Sequence, residues 1–288
     1  MGTEGIGHIG RHHLIWAMPS FQDQVYLVSD QYKDAGNLDA RIQLHKRFST
    51  NPYGWFQWVF DQLDLPFNAR ILEIGCGSGA LWLDNLPRLR MAWHIILSDF
   101  SMGMVRECRQ KLGLSPGQFS LGSSNALAVP FSAESFDAVI ANHMLYHVSD
   151  RQKAISEIAR VLKPGGILYA ATNGERHLLE LDRLVMQYCQ DCTIGILDGK
   201  PSRHFTLENG AAQLTPWFEK VCIREYEDAL EVTEIEPIMA YIKSMLPRYG
   251  SQVDTSVNSN LYQAILKQLQ KQASIHIGKS TGLLIGIK

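Results

Sequence analysis

The apolar run Ile71-Leu72-Glu73-Ile74 breaks into three glycines at alternate positions, Gly75, Gly77 and Gly79, separated by Cys76 and Ser78. A short apolar run that ends this way reads as a buried strand entering a tight turn. Such a turn needs positive φ angles, or a backbone that lies hard against another group, and both demands favour residues without a Cβ. In an open α/β sheet a turn of this kind sits where ligands bind, at the carboxyl end of the first strand.

The pattern continues along the chain. Strands are expected at 70–74, 93–98, 119–122, 136–141 and 166–172, with helical segments at 80–86, 102–112 and 150–162 between them. Lys163-Pro164-Gly165-Gly166 reads as a glycine turn that ends the last of these helices and starts the next strand. Alternation at this spacing predicts an α/β fold, a doubly wound Rossmann-like sheet that is mostly parallel. Upstream, Leu38, Ile42, His45 and Phe48 recur at three- and four-residue steps, so a helix is expected there, interrupted at Asn51-Pro52-Tyr53-Gly54 and resumed over 55–63. Downstream come a mainly helical passage to about Trp217, a strand at 221–226, helices at 234–245 and 260–272, and strand-like ends at 274–276 and 282–288.

Composition narrows the partners. With 45% apolar residues, 19% charged residues and a formal charge of −2 over 288 residues, nothing favours a phosphate backbone, so nucleic acid is not expected as a partner. No apolar run approaches the roughly 20 residues that span a bilayer, and the N-terminus lacks a signal pattern. A cytoplasmic protein without a membrane partner, monomer or homodimer, is the expectation. The first 22 residues carry four glycines and His8, His12 and His13 without periodicity. Five scattered cysteines form no disulfide framework, and Cys189-Gln-Asp-Cys192 has no second ligand pair, so it reads as helix packing and no metal is expected.

Asp99 closes the second strand, 20 residues after Gly79, where a carboxylate can accept both hydroxyls of a ribose. Because Ala80 completes a relaxed GxGxxG/A pattern, this much suits a nicotinamide dinucleotide as well as an adenosyl sulfonium. The third strand end adds more. Ser124-Asn125-Ala126 places an amide oxygen and a backbone N–H where an adenine edge can be read.

In order and spacing, 71–79, Ser98-Asp99, 125–131, 136–147 and 161–166 resemble the motifs of class I S-adenosylmethionine-dependent methyltransferases. They are similar in particular to the small-molecule branch related to ubiquinone-biosynthesis methyltransferases. The resemblance covers 69–174 and extends weakly to the last strands, where it implies an antiparallel final strand. It implies three regions: 1–64 as an N-terminal helical lid, 65–174 as the S-adenosylmethionine-binding core, and 175–288 as the last two strands with helical inserts forming a substrate cap. It further implies that Gly75, Cys76, Gly77 and Gly79 pass beneath the cofactor, Glu73 meets its amino group, and Asp99 holds its ribose. Phe100 or Met104 would lie against its adenine, Asn125 and Ala126 would read that ring, and Asn142 and His143 would line the methyl. Asn125 departs from the Asp usual at its place. The product would be S-adenosylhomocysteine.

Methyl transfer needs alignment and, for a protonated acceptor, a base. The candidates for that base are His143, His147, His45 and Tyr32, with packing or capping as the plainer reading of His147. Tyr32, Phe48 and Tyr53 are candidates to face the sulfonium. Arg41 and Arg47 would either pair with the donor carboxylate or occupy a solvated helix face, and Trp55, Trp58, Met239, Met245 and Leu246 read as core. The expected reaction is methylation of an O, N or C atom of a small metabolite. The alternatives are the same fold used for binding or for other sulfonium chemistry, and a nicotinamide oxidoreductase. The last lacks a Tyr-x-x-x-Lys and leaves Pro130-Phe131 unexplained.

Overall fold

The structure, a computed structural model, describes residues 36–113, 118–188, 201–245 and 253–288. Seven strands form one sheet: β1 (Arg70–Ile74), β2 (His94–Asp99), β3 (Phe119–Ser123), β4 (Phe136–Asn142), β5 (Leu162–Asn173), β6 (Lys220–Glu225) and β9 (Thr281–Ile287), in the order β3-β2-β1-β4-β5-β9-β6. The pairings β1–β2, β1–β4, β2–β3 and β4–β5 are parallel, and β9 runs antiparallel to both β5 and β6. This is the mostly parallel sheet with an antiparallel last strand expected from the sequence. Strands buried on both faces carry apolar side chains at successive positions, as Ile71, Leu72 and Ile74 do at 2% exposure or less.

The helices are α1 (Gly36–Phe48), α2 (Trp55–Asp61), α3 (Ala80–Leu83), α4 (Met102–Leu112), α5 (Arg151–Val161), α6 (Leu179–Tyr188), α7 (Leu207–Leu214), α8 (Ile235–Ser244) and α9 (Asn260–Gln272). Their ends follow local chemistry. The Ser101 hydroxyl accepts from the Met104 N–H at the start of α4, the Asp150 carboxylate accepts from the Lys153 N–H at the start of α5, and Gly113 closes α4 at φ +58°. The inner face of α4 buries Met104, Val105, Cys108 and Leu112.

Two expectations needed correction. The turn at 163–166 does not precede the strand. Instead, β5 starts at Leu162, and the register against β4 shifts between Phe136 and Ala138 to absorb the glycines. The last backbone hydrogen bonds to Lys288 hold that irregular stretch in the sheet. The sequence reading also missed β7 (Ala229–Val232), which pairs antiparallel with β8 (Ile275–Gly278) as a separate two-stranded sheet. The CxxC, Tyr32, Leu246 and the N-terminal histidines lie outside the described residues.

A second apolar core lies beside the sheet. Leu44 and Phe48 of α1 pack there with Leu181 and Val185 of α6, Ile238 and Ile242 of α8, Leu261 and Ile265 of α9, and Leu230 and Ile277 of the small sheet. Helix α1 is therefore built into the same core as the later helical inserts. Among the described residues no helix is long and apolar enough to cross a membrane.

Candidate active site

The strand order reverses between β1 and β4, so a crevice opens at their carboxyl ends. Two backbone turns meet in it. After β1, the Gly75 and Cys76 N–H groups both donate to the Ser98 carbonyl, at 2.7 and 3.0 Å, and Gly75, Gly77 and Gly79 take φ of +74°, +53° and +77°. After β4, His143 is held at φ +51°, with its N–H donating to the Ala171 carbonyl at 3.1 Å. A non-glycine residue in the left-handed region costs about 1–3 kcal/mol and concentrates at functional sites. The turns interlock: a Cβ on Gly75 would stand 2.8 Å from Met144 Cβ. This close approach explains the first glycine.

The crevice continues as a cavity of about 750 Å³, within the roughly 300–1,000 Å³ typical of small-molecule sites. At its glycine-loop end, Asp99 accepts from the Gly77 N–H (Oδ2, 2.9 Å) and the Ser101 N–H (Oδ1, 2.8 Å), while burial raises its carboxyl above the ordinary value. Glu73 is wholly enclosed. Its Oε2 accepts from the Trp82 indole at 2.5 Å and its Oε1 from the Asn142 amide at 3.1 Å, and burial pushes its carboxyl up to about 8. Asn142 Oδ1 and Ser124 Oγ, on residues lining the same wall, are buried without hydrogen-bond partners. Asn125 spends its amide oxygen on a turn of its own, accepting the Leu127 N–H at 2.9 Å. Phe100 is 43% exposed and Met104 1%. Both border this end, as do Cys76 and Ala126.

The far end is walled by other elements. His45 of α1 lies 5.8 Å from the His177 ring and 6.2 Å from Tyr241. Burial, reinforced by the Lys279 charge, pushes His45 down to about 3 and His143 to about 4, so both are neutral across the physiological range. His45 Nδ1 has no hydrogen-bond partner. Lys279 is ion-paired to Asp228, with both side chains nearly inaccessible, and its ammonium lies over the Tyr226 ring at 5.4 Å. Asp228 also accepts from the Ser49 hydroxyl (2.7 Å) and the Asn51 N–H (3.1 Å), which ties the end of α1 to the loop before β7. Trp55 connects the two ends, 5.5 Å from His143 and 5.3 Å from Tyr226.

Of the residues singled out in the sequence, Glu73, Gly75, Cys76, Gly77, Asp99, Phe100, Met104, Asn125, Ala126, Asn142, His143, His147 and His45 converge on this cavity. Two do not. Tyr53 points away, its hydroxyl bonded to Asp61, and only its backbone carbonyl approaches the site, accepting from Tyr226. Gly79 lies behind the loop as the N-cap of α3, where a Cβ would meet Cys108 Sγ at 2.7 Å. Phe48 belongs to the second core and Arg47 pairs with Glu234 at the surface, whereas Arg41 reaches the cavity. Trp55, read from the sequence as core, is a wall of the site. His177, Tyr226, Asp228, Tyr241 and Lys279 carried no local signal, because only the packing of the second core brings them here. Among the described residues no three His, Cys, Asp or Glu side chains are grouped as metal ligands.

Residues 72–170 match the methyltransferase domain family. Over that stretch the chain is similar to the methyltransferase domain. The match resolves the choice between sulfonium and nicotinamide that loop and Asp99 left open. The chain is 35% identical to a demethylmenaquinone methyltransferase of Symbiobacterium thermophilum over 151 residues, 51% of this chain and 59% of that protein. It spans about half the length of the curated relatives it matches. Among solved structures, the [4+2]-cyclase SpnF has a TM-score of 0.56 at 20% identity, covering 94% of this chain and 98% of that one. Phosphoethanolamine N-methyltransferase 2 of Haemonchus contortus, solved with S-adenosyl-L-methionine, has a TM-score of 0.54 at 18% identity, covering 94% and 60%. At these identities the two structures establish the fold alone. The residues present fit S-adenosylmethionine: the orphan oxygens of Asn142 and Ser124 and the Asp99 carboxylate are acceptors suited to an ammonium and hydroxyl groups.

Proposed function

We propose that the protein transfers a methyl group from S-adenosylmethionine to a small metabolite, yielding S-adenosylhomocysteine. One observation supports this above the rest: the acceptor-rich glycine-loop end and the histidine-lined far end share one cavity, with His143 between them. In this reading Asp99 accepts from the ribose hydroxyls, the Gly75–Gly77 backbone lies beneath the cofactor, and Phe100, Met104, Asn125 and Ala126 border its adenine. Asn142 Oδ1 accepts from its ammonium, and Glu73 fixes the orientation of Asn142 rather than meeting the cofactor itself.

When bound, the cofactor supplies a methyl group already activated on a sulfonium. The chain's own part is alignment and exclusion of water. Trp55 and His143 border the point of transfer and His45 faces it from α1. His147 sits on the wall as packing, and Tyr53 and Gly79 take no direct part. Residues up to 64 serve as a lid over the 65–174 core, and 175–288 supply the cap. The acceptor is a small molecule rather than nucleic acid, and the protein works in the cytoplasm as a monomer or homodimer.

Calorimetry tests the reading. S-Adenosylhomocysteine is expected to bind and NAD(H) to give no heat; the reverse would overturn it. Incubation of the protein with labelled S-adenosylmethionine and a small-molecule cell extract should then move label into a metabolite.

A further inference from the structure

Acidic and basic side chains on the cavity wall are sorted by end. The carboxylates among the described lining residues, Glu73, Asp84 and Asp99, all belong to the glycine loop, its following helix or the end of β2. The far end carries Lys279, Arg41, His45 and His177, with His143 between the two ends, and none of the carboxylates among the described lining residues belongs to it. The Lys279–Asp228 pair does not cancel this asymmetry, because Lys279 lines the cavity and Asp228 does not. Asp228 is turned into the protein, where it also takes hydrogen bonds from Ser49, Thr50, Asn51 and Ala229. The cavity therefore meets the positive end of the pair. One ammonium hydrogen is given to Asp228, which leaves donors for a ligand. The surrounding surfaces are flat rings: Trp55, Tyr226, Tyr241 and the histidines.

Resting on the proposed methyl transfer, we propose that the acceptor is an aromatic compound carrying an oxyanion, seated against the Lys279 ammonium, and that the site rejects cationic amines. The chemistry then balances without a base. The acceptor oxygen bonds to the methyl carbon as the carbon–sulfur bond breaks with its electron pair staying on sulfur. Anionic and sulfonium charges cancel, and no proton has to be placed on a histidine. This agrees with a far end whose imidazoles resist protonation. An ammonium acceptor would face a like charge in a partly desolvated pocket and would need a base that His45 and His143 are poorly able to supply. Lys279 is thus a specificity-determining residue that nothing in the sequence around Gly278-Lys279-Ser280 announces.

The test is calorimetry at pH 8 on the full chain saturated with S-adenosylhomocysteine, using 4-nitrophenolate, 4-methylbenzoate, neutral 4-methylphenol and cationic 4-methylbenzylamine as probes. At least one anion is expected to bind tenfold or more tightly than 4-methylphenol, and its identity distinguishes phenolate from carboxylate; the amine is expected to show no binding. Lys279→Met should reduce the favoured anion to the affinity of 4-methylphenol, and Lys279→Arg should retain the preference. Because Lys279→Met strands a buried carboxylate, the paired variant Asp228→Asn/Lys279→Met repeats the test without a lone charge. The proposal is overturned if the amine binds as tightly as the anions. It is also overturned if neither anion exceeds 4-methylphenol, or if the paired variant keeps both S-adenosylhomocysteine affinity and the anion preference. Failure of the wild-type protein to bind S-adenosylhomocysteine would instead overturn the methyl-transfer reading.

Discussion

The Asn142 amide nitrogen donates to the Glu73 carboxylate at 3.1 Å, and the Asn142 amide oxygen is left without a partner on a residue that lines the cavity. The carboxylate thus fixes which face of the amide is available to a ligand. Its other oxygen is occupied by Trp82, so Glu73 acts on the site through its neighbour.

That enclosure has a pH signature. Burial raises Glu73 from 4.5 to about 8, so between these values the folded chain holds a proton that the unfolded chain has released. Stability contributed by this group is full below about pH 4.5 and declines as pH rises to about 8, by a few kcal/mol at most. Glu73→Gln should flatten this part of the curve of Tm against pH. A slope identical to that of the wild-type protein would show that another group carries it.

His45 and His143 act in the opposite direction. Their folded values, about 3 and about 4, lie below the ordinary 6.5, so the stability they contribute is complete above about pH 6.5 and is lost as pH falls toward 4. Replacing either with Gln should soften the acid limb of unfolding, measured by circular dichroism from pH 7 to pH 4.

Gly75→Ala should lower Tm and weaken S-adenosylhomocysteine binding at least tenfold, because the new methyl group meets Met144 at 2.8 Å and φ is +74°. Gly75→Ala/Met144→Gly removes the Cβ that the new methyl group meets but leaves the positive φ, so about half of the loss should return.

Asp99→Ala removes the acceptor of the Gly77 and Ser101 N–H groups together with the proposed ribose contact. Hydrogen bonds to a charged group contribute about 1.5–3 kcal/mol each, so S-adenosylhomocysteine affinity should fall on the order of a hundredfold. Unchanged affinity would place the ribose elsewhere.

At His143 the backbone and the side chain can be separated. His143→Gly relaxes φ +51° and should be about 1 kcal/mol more stable than His143→Ala. Both variants should turn over more slowly while binding S-adenosylhomocysteine nearly as well as the wild-type chain. Equal stability of the two would mean that the turn carries no strain.

The parallel sheet was legible because its strands are buried on both faces, so that Arg70–Ile74 and Phe136–Asn142 stand out as apolar runs. Ala229–Val232 was not, being four residues long with Glu231 exposed, and it forms a strand only by pairing with distant Ile275–Gly278. The site divides the same way. Loop, Asp99 and Asn142 sit at strand ends, where chain position specifies place. Lys279 depends on Asp228, 51 residues away, and Trp55 on Tyr226. Tyr53 misled because its neighbours Pro52 and Gly54 line the cavity while its own side chain turns to Asp61.

The shared core of α1 and α8 also sets an order of events during synthesis. The helix that covers the cavity is made before α8, the element it packs on most extensively, which begins at Ile235, roughly 190 residues later. At about 5–20 residues per second that interval is on the order of 10–40 s. The strands from Arg70 to Asn173 can pair meanwhile, while Leu44 and Phe48 wait with their apolar face uncovered. The pocket is therefore completed only after α8 has been made, and a nascent chain halted before Ile235 would present the glycine loop without its full cover.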